Sequence, residues 1–189
     1  MIESFPYLNY NYTCALTDDI WIRRESQDKW PHSYWLETPA SEPDSNYAKA
    51  VTILSPIGFD SFRKWEYSST ENRGHEYEEL KTMLAEKLLS KVYERFPMLK
   101  TSTQKYYCST PLTQVDYTES PEGSAYGVIK DSADPIKSQV LPKTTIPNLL
   151  LTGQNTNAHG MLGVSTGALI TLSHLLDINK IVQQIRDAG

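Results

Sequence analysis

Apolar positions along this chain run through three patterns in turn. Between residues 7 and 25 they alternate: Tyr10, Tyr12, Cys14 and Leu16 are interleaved with Asn11, Thr13 and Ala15, the two-residue period of a strand. Asp18-Asp19 predicts a turn, and Ile20 to Arg24 a second short strand. Residues 37–48 are rich in Pro, Ser and Asp and read as a loop. Ala50 to Ser55 is an apolar, β-branched run that predicts a buried strand, closed by Pro56 and Gly58. The period then changes to that of a helix from about His75 to Phe96. Tyr77, Leu80, Leu84, Leu88 and Val92 fall on one face. Glu76, Glu78 and Glu79 lie in its first turn, Lys91 and Arg95 in its last, matching the helix dipole, and Pro97 stops it.

Residues 105–119 read as a strand, a turn at Pro111, and a short helical or extended piece. Pro121-Glu122-Gly123 is a turn, Ala125 to Lys130 a candidate strand, and Pro135 to Pro147 a connecting loop. The third pattern is continuous apolarity. Asn148 to Thr152 reads as a compact apolar strand, followed by Gly153, Gly160, Gly163 and Gly167. Ala168 to Leu176 is almost wholly apolar and predicts a buried helix, after which Ile178, Ile181, Val182 and Ile185 form an amphipathic stripe. The last segment is therefore a strand, a glycine-rich connection and a buried helix.

Composition narrows the function classes. Hydrophobic residues make up 39% and charged residues 22% of 189 residues, a globular mixture of one-domain size. A net charge of -5 argues against a nucleic-acid surface or a polybasic anchor. No apolar run reaches the length of a membrane span, and the N-terminal residues lack the basic and apolar regions of a secretory signal. The two cysteines, Cys14 and Cys108, have no metal-ligand spacing. A single disulfide stays open, while a reduced cytoplasmic setting, at most peripheral to a membrane, fits better. Twelve Tyr against four Phe suit half-wet surfaces, either sheet faces or a ligand cleft.

Candidate chemistry concentrates in residues 146–176. A strand that leads through glycines into a helix lets backbone approach a ligand, with unpaired helix N–H groups facing it. The same glycines equally serve close packing of helix on sheet, the reading that the pattern alone favours. Gly163 to Gly167 matches G-x-S-x-G, but no strand runs into Ser165, and only His174 and then Asp177 follow, in the wrong order for a hydrolase triad. None of His32, His75, His159 and His174 pairs with another ligand at metal spacing, so no metal site is expected. His174 reads as a core or interface histidine. His159, beside Gly160, reads as loop structure or as a ligand-lining residue. Trp21, Trp30, Tyr34, Trp35 and Trp65 read as core and interface.

The stretch Ile146 to Gln154, then His159-Gly160-Met161-Leu162-Gly163 and an apolar helix, resembles the C-terminal flavin-contacting segment of FAD-dependent oxidoreductases, in the branch of phytoene desaturases, carotenoid isomerases and retinol saturases. Glu76 to Lys81 leading to Arg95-Phe96-Pro97 resembles a helix of that family's substrate domain. Ser109 to Thr113 with Gly123 to Gly127 resembles the passage back to the flavin domain. The resemblance implies an α+β fold: a partial substrate-binding domain over 1–125, with a mixed or antiparallel sheet and helices, then the last strand and helix of a Rossmann-like FAD-binding domain over 126–189. It implies FAD as cofactor, with Gly153 and Gln154 near the ribityl and pyrophosphate, and Gly160, Met161, Leu162 and Gly163 under the flavin pyrimidine edge. No catalytic acid or base is implied.

The G-x-G-x-x-G turn that such enzymes carry on their first strand occurs nowhere in the chain. The expectation is a C-terminal portion of a flavin enzyme acting on C=C bonds of a hydrophobic, polyene or isoprenoid-like substrate, inactive alone. Its partner would be the missing N-terminal FAD-binding half. The alternative is a non-catalytic interaction module that pairs with such a half or with itself.

Overall fold

The computed structural model describes residues 9–13 (backbone only), 30–38 and 48–188. Ile20 to Arg24, Trp21, Cys14 and most of the 37–48 loop lie outside the described residues. Contacts divide the chain into two units, one ending at Gly123 and one beginning at Ser124. Together they make an α+β protein.

Unit 1 carries a three-stranded antiparallel sheet in the order β1-β2-β3. These strands are β1 (Asn9–Thr13), β2 (Ser33–Glu37) and β3 (Thr52–Leu54). Tyr10 stands opposite Leu36, and Leu36 opposite Ile53. The central strand, β2, was not among the expected strands, although its residues carry the signal. Tyr34 and Leu36 are buried while Trp35 and Glu37 are exposed, the alternation that a half-buried strand imposes. The expected buried strand at 50–55 forms as β3 but is not buried. Thr52 and Leu54 are exposed and Ile53 is half-buried, because β3 pairs on one side only and is an edge.

Helix α1 (His75–Arg95) matches the periodicity closely. Tyr77, Leu84 and Val92 are buried, and Leu80 and Leu88 pack against the same clusters. One cluster joins Trp30, Phe59, Phe62, Trp65, Tyr77, Leu84 and Leu112; the other joins Tyr34, Leu36, Val92, Phe96 and Leu99. Leu88 touches both, so α1 is the spine of unit 1. Pro97 ends α1 and also opens α2 (Pro97–Ser102), where the first helical position has no use for the N–H that proline lacks.

No strand forms at 105–109. The chain is irregular there until Thr110 caps α3 (Pro111–Thr118), with Pro111 as the first helical residue rather than a turn. The Thr110 N–H donates to Thr113 Oγ1 at 3.1 Å, and the buried Thr110 hydroxyl lies 2.8 Å from the Tyr77 hydroxyl. Arg73 donates to both oxygens of Asp116 at 2.7 Å and lies over the Tyr77 ring, which ties the entry of α1 to α3. Thr110→Val removes the cap and strands the Tyr77 hydroxyl. It should lower the stability of unit 1 by about 1–3 kcal/mol, read by urea unfolding; a loss below half the lower figure would mean that α3 is held by packing alone.

Unit 2 contains α4 (Gly160–Leu172) and α5 (Ile178–Ala188). The candidate strand at 125–130 is a series of bends, and the expected strand at 148–152 reduces to one bridge between Lys143 and Leu150. Leu151 N–H also donates to Pro142 O at 2.8 Å. The Rossmann-like strand is thus not formed among the described residues, since a strand needs a partner along its edge. The apolar helix begins eight residues earlier than read, at Gly160, and includes Gly163 and Gly167. It is not buried either: only Gly167 and Thr171 are, while Met161, Leu162, Val164, Ile170 and Leu172 are exposed. A helix apolar on all sides requires cover on all sides, and unit 2 covers one. Helix α5 has no buried residue. Among the described residues, no helix is long and apolar enough to cross a membrane.

Candidate functional site

The predicted site residues all lie in unit 2, on one turn and one helix start. The chain leaves Leu151 and turns at Gly153, whose φ is +103°. Gly153 O accepts from both the N–H and the hydroxyl of Thr156, at 3.2 and 2.8 Å, and Thr156 is buried beneath the turn. Gln154 is half-buried on that turn. The turn rests on α4: an added side-chain carbon at Gly167 would lie 3.9 Å from Gly153 O and 3.5 Å from Asn157 Cβ. Thr171 Oγ1 lies within hydrogen-bond distance of Leu151 O (2.9 Å) and Gly167 O (3.0 Å), fastening the far part of α4 to the segment before the turn.

The second group is Gly160, Met161, Leu162 and Gly163, which form the first turn of α4. His159 precedes them in extended conformation and contributes no side-chain cap. The N–H groups of this turn have no intrahelical acceptor. Met161 and Leu162 are 89% and 82% exposed, so this uncapped helix start is apolar as well as electropositive. Open space surrounds Gly153 and Gly160 where a side chain would begin. Gly163 is different, because it packs directly on Ala158. The packing role considered for the glycines is therefore met at Gly163, while Gly153 and Gly160 have open space where a side chain would begin.

Several other candidates fall away. Ser165 sits within α4 rather than on a strand-to-helix turn. His174 lies past the end of α4 and is exposed, not a core residue. Trp30, Tyr34 and Trp65 are core, whereas Trp35 is 39% exposed. Among the described residues, no group of three His, Cys, Asp or Glu side chains could hold a metal. Cys108 is half-buried, and burial pushes its thiol up, partly opposed by Lys81, so it stays protonated and weakly nucleophilic. The surface grooves along α1 include none of the predicted site residues.

Sequence reasoning missed the partner of His159. The Tyr126 ring packs on it, with centroids 4.8 Å apart. Asn155 was missed too; its side chain accepts from Val128 N–H at 3.0 Å and its backbone oxygen from Lys130 Nζ at 3.1 Å. The available signal was Gly127, a glycine directly after a tyrosine.

No family model and no solved structure matches the chain. Curated relatives do match. The chain is 33% identical over 132 residues to the all-trans-retinol 13,14-reductase of Rattus norvegicus, covering 68% of this chain and 22% of that protein. It is 31% identical over 164 residues to the Homo sapiens protein of the same name, covering 83% and 27%. With that of Danio rerio the identity is 30% over 165 residues, again covering 83% and 27%. The chain spans about a quarter of the length of the relatives it matches. It is thus homologous to a stretch of the all-trans-retinol 13,14-reductases, the family to whose branch its own motifs point.

Proposed function

We propose that this chain is the C-terminal part of a flavin-dependent oxidoreductase that acts on carbon–carbon double bonds of a hydrophobic, polyene or isoprenoid-like substrate. The observation that carries the proposal is the start of α4. An uncapped, exposed, apolar helix entrance stands next to a glycine turn, in a chain whose relatives are named as retinol reductases. In this reading unit 2 is the returning segment of the flavin domain and unit 1 a portion of the substrate domain. The division of contacts after Gly123 supports that arrangement.

FAD, when bound, supplies hydride transfer to or from the double bond. The residues here would serve it by binding and by excluding water. Gly153 and Gly160 leave their backbone open to close approach. The N–H groups of Gly160 to Gly163 favour negative charge developing on a ligand at the helix start. Met161 and Leu162 would keep water from the ligand at that helix start. The Gln154 amide can hydrogen-bond a ribityl hydroxyl. The G-x-G-x-x-G turn that cradles the pyrophosphate in such enzymes is absent from the sequence, so this reading assigns the chain half a site.

A second reading is favoured by one observation, the exposure of apolar side chains along α4 and the absence of any buried residue in α5. Such a surface promotes association, which would make the chain a non-catalytic interaction module. The deciding experiment adds FAD to the chain alone and to the chain with a G-x-G-x-x-G-bearing N-terminal half of a retinol reductase. The flavin reading expects a perturbed flavin absorbance only with both parts present. A stable complex that leaves the flavin spectrum unchanged would overturn it in favour of the interaction module.

A further inference from the structure

Two rings meet in unit 2 in a way that local packing does not explain. Tyr126 and His159 have ring centroids 4.8 Å apart and planes tilted by 54°. Both residues are exposed, Tyr126 by 61%, so their contact fills no core.

The backbone around them is nonetheless tightly specified. Gly127 has a φ of +78°, and a side-chain carbon there would come 2.6 Å from Asn155 Oδ1 and 3.2 Å from Gln154 O, so glycine is strongly favoured. That same oxygen accepts the Val128 N–H, and Lys130 reaches the Asn155 carbonyl. Residues 126–130 are thereby pinned to the turn that carries Gly153 and Gln154. The pinning sets the Tyr126 ring against the residue that directly precedes Gly160. The ring pair is held at the surface, where an exposed aromatic side chain can offer its outer side to a ligand.

We propose that Tyr126 and His159 are positioning residues for a planar conjugated ring, the flavin isoalloxazine. The Tyr126 ring fixes the orientation of the His159 imidazole, and the pair together receives one edge of the ligand. Neither residue is assigned a proton transfer. The proposal rests on the flavin reading of Gly153 to Gly163 and adds to it the two side chains that orient the ligand.

The test uses the full chain, labelled for NMR and titrated with flavin mononucleotide at millimolar concentration, where half a site still registers. The expected result is movement of the Gly153 and Gly160 to Gly163 amides together with the His159 ring protons. Tyr126→Leu and His159→Leu should each weaken the apparent affinity about threefold to tenfold, the worth of one ring contact. Tyr126→Phe, which keeps the ring, should stay within about twofold. If both leucine variants bind as the parent chain does, the positioning role is overturned and the flavin reading stands. If neither Gly153 nor the α4 amides respond in the parent chain, nor when the G-x-G-x-x-G-bearing half is added, both fall together. Inorganic phosphate alone moving the His159 ring protons equally would also overturn the proposal, since no flat ring is then being received. The amide spectrum of 160–188 reports whether each variant stays folded. Should Tyr126→Leu unfold unit 2, His159→Leu, at an exposed position, decides alone.

Discussion

Leu112→Ala should lower the unfolding free energy of unit 1 by about 2–5 kcal/mol. Leu112 is fully buried and sits at the second position of α3, amid Trp30, Phe59, Phe62, Trp65, Tyr77 and Leu84. Its side chain is the main apolar anchor of an eight-residue helix, and a helix that short has little stability of its own. The alanine variant leaves a cavity lined by aromatic rings that cannot collapse around it. Native stabilities are typically about 5–15 kcal/mol, so the loss would remove a large fraction of the total. Trp30 and Trp65 line the cluster and make tryptophan fluorescence in urea a direct readout. Leu112→Met, which conserves volume, should cost less than about 1.5 kcal/mol. An alanine variant as stable as the parent would mean that α3 is not part of the cooperative core.

Gly163→Ala and Gly167→Ala should have opposite signs, although both replace glycine by alanine inside the same helix. Helix propensity alone favours alanine at each by about 1 kcal/mol. At Gly167 the new carbon would sit 3.5 Å from Asn157 Cβ, an ordinary contact, so this variant should be neutral or stabilised. At Gly163 it would fall 2.6 Å from both the carbonyl carbon and oxygen of Ala158 and 2.8 Å from Ala158 Cβ. That neighbour is backbone and cannot swing aside. The helix start must lift from the connection, so Gly163→Ala should destabilise α4 by about 1–3 kcal/mol despite the better propensity. Amide hydrogen exchange along α4 reads both variants. Equal behaviour of the two would show that the helix start does not rest on Ala158. Because Gly160 to Gly163 are the residues assigned to the flavin, the alanine at 163 should also diminish the flavin mononucleotide response, and the alanine at 167 should not.

Legibility differed sharply between elements. Helix α1 could be read almost to the residue, because its face, its end charges and Pro97 are all local signals. The strand β2 carried an equally local alternation at Ser33 to Glu37 but went unread, masked by its aromatic residues. The helix at 160–172 was recognised for its apolarity but placed too late, since its glycines looked like a connection. Gly163 and Gly167 sit inside the helix because close approach to Ala158 and Asn157 outweighs their poor propensity. The site residues Gly153, Gln154 and Gly160 to Gly163 were legible as a group through motif resemblance. Tyr126 and Asn155 were not, because their partners, His159 and Val128, lie some thirty residues away in sequence and meet them only on folding.

By itself, the sequence determined the period and ends of α1, the α+β class, the family branch and the glycine-rich segment that carries the candidate site. These depend on neighbours a few positions away, on side-chain chemistry and on motif spacing. Only the tertiary structure decided which apolar runs have cover. Leu54, Met161 and Leu162 are as apolar in sequence as Leu36 or Leu112, yet they are exposed while those are buried. Burial belongs to the surface that folds over a residue, and hydrophobicity states only what that surface would be worth. The same physics brought Tyr126 to His159. A ring contact between distant residues depends on the glycine lock at 127 and the asparagine at 155, and on no pattern that either residue carries alone.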